Sequence, residues 1–207
     1  MPNENLEEIN FYSADSRPYG LTYGQWTVEW WRWFLSTPKS INPVVDESGE
    51  FASVNQPAED VWFLAGKVAN EQLNFPKRFC RIPSSYSILF PVINCEVNRL
   101  EFPELTTYSE LIGKVESDEN TIIHKECTVD GKLVPVQRIK SDPIVFEVKI
   151  DKDNAYDVAD GGITLAAADG YWVFLRPLPV GKHNIYFRGS CENGRLNSGA
   201  DYHLQID

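Results

Sequence analysis

The sequence predicts a mainly β protein, a β-sandwich or barrel-like antiparallel fold that carries a buried Trp-rich helix and one short amphipathic helix. Three observations lead there. From Val61 onward, short apolar runs are separated by Gly, Pro, Asn and Asp turn signals at the spacing of strands. Four of the six tryptophans fall between positions 26 and 33, within TYGQWTVEWWRWFLSTP. With 43% hydrophobic and 13% aromatic residues, the 207-residue chain can bury about 70% of its unfolded surface as a single domain spanning 1–207.

Residues 1–10 are polar and acidic and are expected to be flexible. SADSRPYG reads as a loop, because Asp-Ser and Pro-Tyr-Gly favour turns. A helix is predicted over 22–37. Thr22 and Gln25 form a capping box at its start, and Pro38, lacking an N–H, stops it. At about 100° per residue, Tyr23, Trp26, Trp30, Trp33 and Phe34 make one aromatic stripe, with Val28, Trp31 and Leu35 wrapped around the far side. Only Gln25, Glu29, Arg32 and Ser36 share a polar arc. A helix apolar over most of its circumference is a buried one, here packed across a sheet face or plugging one end.

The run KSINPVVDESGEFASVNQPAED has no period and reads as a long connection, functional or wrapped over a core. VWFLAG, RFCRIP and YSILFPVI follow as strands, the last two expected to form a hairpin through Pro83-Ser84-Ser85. A second capping box, Thr107 and Glu110, starts an amphipathic helix with Tyr108, Leu111, Ile112 and Val115 on one face. Strands resume at Thr121 and turn at Asp130-Gly131, a preferred hairpin pair. The return runs from Lys132 to Ile139, and Pro135 places it at an edge. Ile144, Phe146, Val148 and Ile150 alternate with polar neighbours as a half-buried strand does. After the acidic stretch DKDNAYDVADGG come ITLAAA, YWVFLRPL, HNIYFRGS and the alternating Tyr202, Leu204 and Ile206, for about nine or ten strands in all.

Four blocks, PYGLTYGQWTVEWWRWFLSTPKSINP, VWFLAG, CRIPSSYSILFPVINC and ADGYWVFLRPLPVGKHNIYF, resemble in that order a family of uncharacterised prokaryotic proteins. The blocks are long and unusual. The resemblance implies a shared fold and carries no activity, cofactor or site.

A formal charge of −11 and a pI near 4.8 argue against a nucleic-acid partner, which needs a basic stripe. The longest apolar runs are far short of the roughly 20 residues that span a bilayer, so no membrane association is expected. The N-terminus lacks a basic and then apolar signal pattern, as in a cytoplasmic protein or a secreted one whose signal has been removed. Cys80, Cys95, Cys127 and Cys191 show no CxxC spacing. Cys80 and Cys95 flank the expected hairpin and are readable either as a disulfide or as buried free thiols.

Candidate site residues come from three places. Glu29 and Arg32 are either a carboxylate and its partner at the floor of an aromatic pocket or an ordinary i, i+3 ion pair on a solvated strip. If a pocket exists, Trp26 and Trp33 are its apolar walls. Asn94, Cys95 and Glu96 at the end of an apolar strand, and Asp169-Gly170 at the start of another, are polar groups of the kind that line a site on a β rim. Asp151, Asp153, Asp157 and Asp160 supply oxygens that calcium could use, although Ala155 and Tyr156 break the EF-hand pattern and a solvated acidic loop is the better explanation. His183 and His203 lie on late strands that could pair, with Asp201 on the His203 face. Neither serine cluster fits a nucleophile elbow.

The first functional reading is a non-catalytic binder of a small molecule or glycan, with aromatic faces stacked on a ring. The alternatives are a hydrolase or lyase using Glu29 or Asp169 with a histidine, and a structural or self-associating protein whose aromatic residues are all core. The ligand-binding set is placed at Trp26, Glu29, Arg32, Trp33, Asn94 and Asp169, and no cofactor beyond calcium is suggested.

Overall fold

The Thr22 hydroxyl accepts the Gln25 N–H at 3.1 Å and the Gln25 side chain accepts the Thr22 N–H at 2.8 Å, so helix α1 (Tyr23–Ser36) begins with two satisfied donors. The same reciprocal box at Thr107 and Glu110 opens α2 (Tyr108–Glu119). The fold was obtained as a computed structural model and describes residues 10–57, 60–69, 75–192, 194 and 196–207. Apart from Asn10, the 1–10 segment expected to be flexible lies outside the described residues.

The described strands form two packed sheets. The first is ordered β1 (Val61–Phe63), β4 (Ser87–Asn98), β8 (Gly162–Leu175), β7 (Gln137–Ile150). The second contains β2 (Lys67–Ala69), β3 (Lys77–Ile82), β5 (Ile122–Val129), β6 (Lys132–Leu133), β9 (Gly181–Cys191) and β10 (Asn197–Ile206). Its order is β2-β10-β9-β5-β6, with β3 sharing β10's outer edge with β2. Both sheets have open edges, so the architecture is a sandwich and not a barrel. Only the β1–β4 and β3–β10 pairs are parallel.

Between the sheets, Ile88, Phe90 and Val92 of β4 and Val173 and Leu175 of β8 meet Ile185, Phe187, Tyr202, Leu204 and Ile206. On its other face the first sheet is covered by α1, whose Trp26, Trp30, Trp31, Trp33 and Phe34 pack on Phe63, Phe146, Val148, Trp172 and Phe174. The helix is thus buried across a sheet face, and its tryptophans are at most 5% exposed. Helix α2 runs directly into β5 and covers Val97 and Ala167, the part of the inner face that the second sheet leaves bare. Among the described residues no helix is long and apolar enough to cross a membrane.

The long connection over 39–60 is wrapped over the core by specific bonds. The Asn42 amide donates to the Phe34 and Thr37 carbonyls, and the Asp46 carboxylate accepts the Ser48 and Phe51 N–H groups. Arg78, fully buried, ties this loop to the sheets by donating to the carbonyls of Val44, Asp46 and Ala65 and to the Tyr202 hydroxyl.

Asp130-Gly131, both at positive φ, forms the β5–β6 hairpin turn, but the return expected over Lys132 to Ile139 is only Lys132–Leu133 at the sheet edge: Pro135 lies between strands, and Gln137 to Ile139 belongs to β7 in the first sheet. Three further expectations change. RFCRIP and YSILFPVI are not a hairpin: Ile82 and Ile88 both enter the inter-sheet core, so Pro83-Ser84-Ser85 carries the chain across the sandwich to a different sheet. ITLAAA and YWVFLRPL are one strand, β8, with Asp169-Gly170 in its middle and not at its start. The chain from Gln137 to Ile150 is likewise one strand, β7, irregular between Lys140 and Val145.

Candidate ligand-binding site

Strand β1 ends at Phe63, opposite Leu89, and no other described strand pairs the β4 edge beyond that point. Pro91, which has no N–H to offer a neighbour, stands where this edge becomes free. A register shift between Pro91 and Ile93 then changes which residues face which way. Before it, Leu89 faces α1; after it, Cys95 and Val97 face α2, and Asn94, Glu96 and Asn98 take the α1 side. A run of polar side chains is thereby aimed at the aromatic helix.

They meet it at a cavity of about 290 Å³. Trp30, Trp31, Phe34, Phe102 and Tyr156 supply its rings, Asn94, Glu96 and Glu101 its polar wall, and Val44, Val68 and Leu196 its rim. Tyr156 is brought in by the acidic loop and packs edge-on against Phe34 at 5.6 Å. Mostly apolar lining, five of its residues aromatic, with a few convergent polar groups is the composition of a small-molecule site, and the volume lies at the small end of such cavities.

The Asn98 amide bridges two carboxyls, donating to Glu96 Oε2 at 3.3 Å and Glu101 Oε2 at 2.5 Å. Burial pushes the Glu96 carboxyl up to about 8, with the Glu101 charge adding to the rise and the Asn98 bond and the Tyr156 hydroxyl opposing it. Glu101 is also raised by burial, against the same Asn98 bond. Glu96 is therefore largely protonated near neutrality and can donate as well as accept.

The indole N–H groups divide sharply. Those of Trp26, Trp30 and Trp33 donate to the carbonyls of Pro18, Leu64 and Val54 at 2.8, 2.9 and 2.9 Å. Those of Trp31, Trp62 and Trp172 are buried and have no acceptor among the described residues. Trp62 lies elsewhere, in the core between the sheets; the other two are joined by two further unpartnered atoms, Asn94 Nδ2 and Glu96 Oε1. All four atoms belong to one neighbourhood. Trp31, Asn94 and Glu96 line the cavity, and a Cβ placed on Gly170 would meet Asn94 Cβ at 2.6 Å and Trp172 Nε1 at 2.7 Å. Gly170 is required there to let the indole and the amide approach.

The structure scatters the residues singled out from sequence. Trp26 and Trp33 are sealed core residues with bonded indoles. Glu29 and Arg32 pair with each other at 2.8 Å on the outer strip of α1, Arg32 reaching the Glu147 carbonyl on β7, and do not line the cavity. Asn94 does line it. Asp169 lies on the opposite face of the same sheet, its side chain fully buried against Arg138 at 2.7 Å. Of the six, the cavity holds one.

The four loop aspartates do not converge. Asp153 accepts the Ser40 N–H, Asp157 pairs with Lys39, Asp151 accepts the Asp153 N–H, and Asp160 is exposed. Asn154, buried in the middle, organises the loop with bonds to Asp151, Tyr156 and Val158. Among the described residues no group of three or more His, Cys, Asp or Glu is placed to hold a metal ion. Strands β9 and β10 do pair, but His183 is held by Asp130 and the Pro179 carbonyl, while His203 stacks on Phe79 with Asp201 at 3.4 Å. Cys80, Cys95 and Cys127 are free thiols, with Cys80 and Cys95 in different sheets.

Sequence reasoning placed Trp31 on the far side of the helix and passed over Glu101, Asn98 and Tyr156. One signal was present: Asn94, Glu96 and Asn98 recur at period two directly after a strongly apolar run. No known protein family, curated protein or solved structure matches the chain, so the family resemblance of its blocks stands on the residues alone.

Proposed function

We propose that this protein binds a small molecule, without transforming it, in the cavity between α1 and the free edge of β4. The observation that carries the reading is the gathering of unpartnered polar atoms, Trp31 Nε1, Asn94 Nδ2 and Glu96 Oε1, on residues that line one aromatic cavity. Each such atom left unpaired costs about 1–3 kcal/mol, so a protein tolerates a cluster of them where a ligand completes the bonds. Among the described residues no histidine, serine pair or lysine lines this cavity, which supports binding over the hydrolase or lyase reading. The purely structural reading is disfavoured because three such atoms gather on residues that line one cavity, whereas the uncapped Trp62 Nε1 and Tyr23 hydroxyl lie on residues outside its lining.

A thermal-shift screen of small ring compounds tests this, since a ligand of the native state raises the melting temperature by mass action. Compounds that stabilise the parent are expected to lose their effect in Leu196→Trp, checked for parental secondary structure, which places a larger side chain in the lining of the cavity. An undiminished effect in that variant, or no stabilising compound at all, overturns the reading.

A further inference from the structure

We infer that the ligand is a neutral, hydroxyl-rich ring of the size of one sugar or cyclic polyol, held by the Trp31 indole N–H and the Asn94 amide and stacked on the rings of α1. The inference rests on the binding reading above and adds the chemical class.

Four features select that class. The unpartnered atoms at and beside the cavity are mostly donors: Trp31 Nε1, Asn94 Nδ2 and, beside Gly170, Trp172 Nε1. Donors need acceptors, and an organic ammonium has none to give. Glu101 and Asp118 border the cavity in a chain of charge −11, which disfavours a carboxylate or phosphate. What remains is an uncharged, oxygen-rich compound. A hydroxyl suits this wall because it accepts from an indole or amide N–H and donates to a carboxyl oxygen at the same time. Glu96, raised to about 8 by burial and by Glu101, complements it in either protonation state.

The aromatic lining supplies the other half. Trp30, Trp31 and Phe34 crowd together with ring centroids 5.1 to 5.7 Å apart, and Tyr156 stands against Phe34. Rings so placed cover the apolar C–H face of a saturated ring, as they would cover any flat apolar surface. The cavity volume of about 290 Å³ takes one such ring and excludes an extended chain from full enclosure.

Calorimetry with four probes of similar size separates the classes: methyl β-glucopyranoside, myo-inositol, choline and benzoate. One or both neutral rings are expected to bind, with choline and benzoate at least tenfold weaker. Trp31→Phe keeps the ring and removes the N–H, so a folded Trp31→Phe protein is expected to bind the neutral ring about tenfold less tightly, the effect of one hydrogen bond of roughly 1.4 kcal/mol. Asn94→Ala, checked for parental secondary structure, is expected to do the same. Preferential binding of choline or benzoate overturns the ligand class and leaves the binding reading standing. Equal affinity in Trp31→Phe and Asn94→Ala overturns the assignment of the donors. If none of the four binds while the screened compounds still lose their effect in Leu196→Trp, the class is wrong and the cavity is right; if the screen is also empty, both fall.

Discussion

Cys95 and Glu96 are neighbours in β4, yet they face opposite sides of one sheet, and each side holds a glutamate pushed up to about 8. On the α2 side it is Glu119, fully buried beside the Cys95 thiol, with Asp169 and Arg138 close by. On the α1 side it is Glu96, bridged through Asn98 to Glu101 at the wall of an aromatic cavity. A perturbed acid alone does not mark a site. On the α2 side Arg138 closes on Asp169 with three bonds and on Asn120 with another. The α1 side has space and unpartnered donors beside its acid. Function is read from that second combination.

The two sides are also held differently, by rings on one and by charges on the other, and this can be broken in turn. The largest effect is expected on the ring side. Trp30 touches Trp31, Trp33, Phe34 and Trp172, and Trp30→Ala should lower unfolding free energy by roughly 3–5 kcal/mol in a denaturant titration. A loss under about 1 kcal/mol would show that the helix is not the keystone of this face. On the charge side, Arg138→Met leaves the Asp169 carboxylate buried without its partner. Because Arg138 itself is about a third exposed, the expected cost is about 3 kcal/mol, the low end for a broken buried pair.

A third, intermediate effect concerns pH. Glu96 and Glu119 both sit near 4.5 when unfolded and about 8 when folded, so between those values the folded chain holds more protons. Their contribution to stability is complete below about 4.5 and is lost as the pH rises through about 8. Melting temperature should therefore fall from mildly acidic to mildly alkaline buffer. Glu119→Gln and Glu96→Gln should each flatten that fall to a similar degree, because both carboxyls are raised to about 8 by burial. Identical profiles for the parent and both variants would remove the shared shift.

Much of the fold was legible because it depends on local rules. The two capping boxes, the Asp130-Gly131 turn and the alternation from Ile144 to Ile150 each follow from a few adjacent residues. The failures are non-local. Nothing near Pro83-Ser84-Ser85 says that the chain crosses to another sheet, since that depends on β10, more than a hundred residues later, occupying the place beside β3. Asp169-Gly170 has turn composition but is claimed by distant partners, Arg138 for the charge and Asn94 with Trp172 for the missing Cβ. The cavity was hidden for the same reason. A single register shift in β4 decides that Asn94 and Glu96 face the helix, and the polar arc at Glu29 and Arg32, which drew attention in the sequence, simply faces out over β7. Removing that exposed pair supplies the smallest expected effect: Glu29→Gln should change stability by less than about 0.5 kcal/mol and leave ligand binding untouched.

The most direct test of the account follows the indole N–H signals by NMR as a neutral ring compound is added. Trp26, Trp30 and Trp33 already donate to backbone carbonyls, whereas Trp31 and Trp172 do not. The expected result is that the Trp31 signal moves, with a smaller shift at Trp172, while those of Trp26 and Trp33 stay in place. Movement of Trp26 or Trp33 with Trp31 unchanged would contradict the account, because it would put the ligand against the sealed side of the helix.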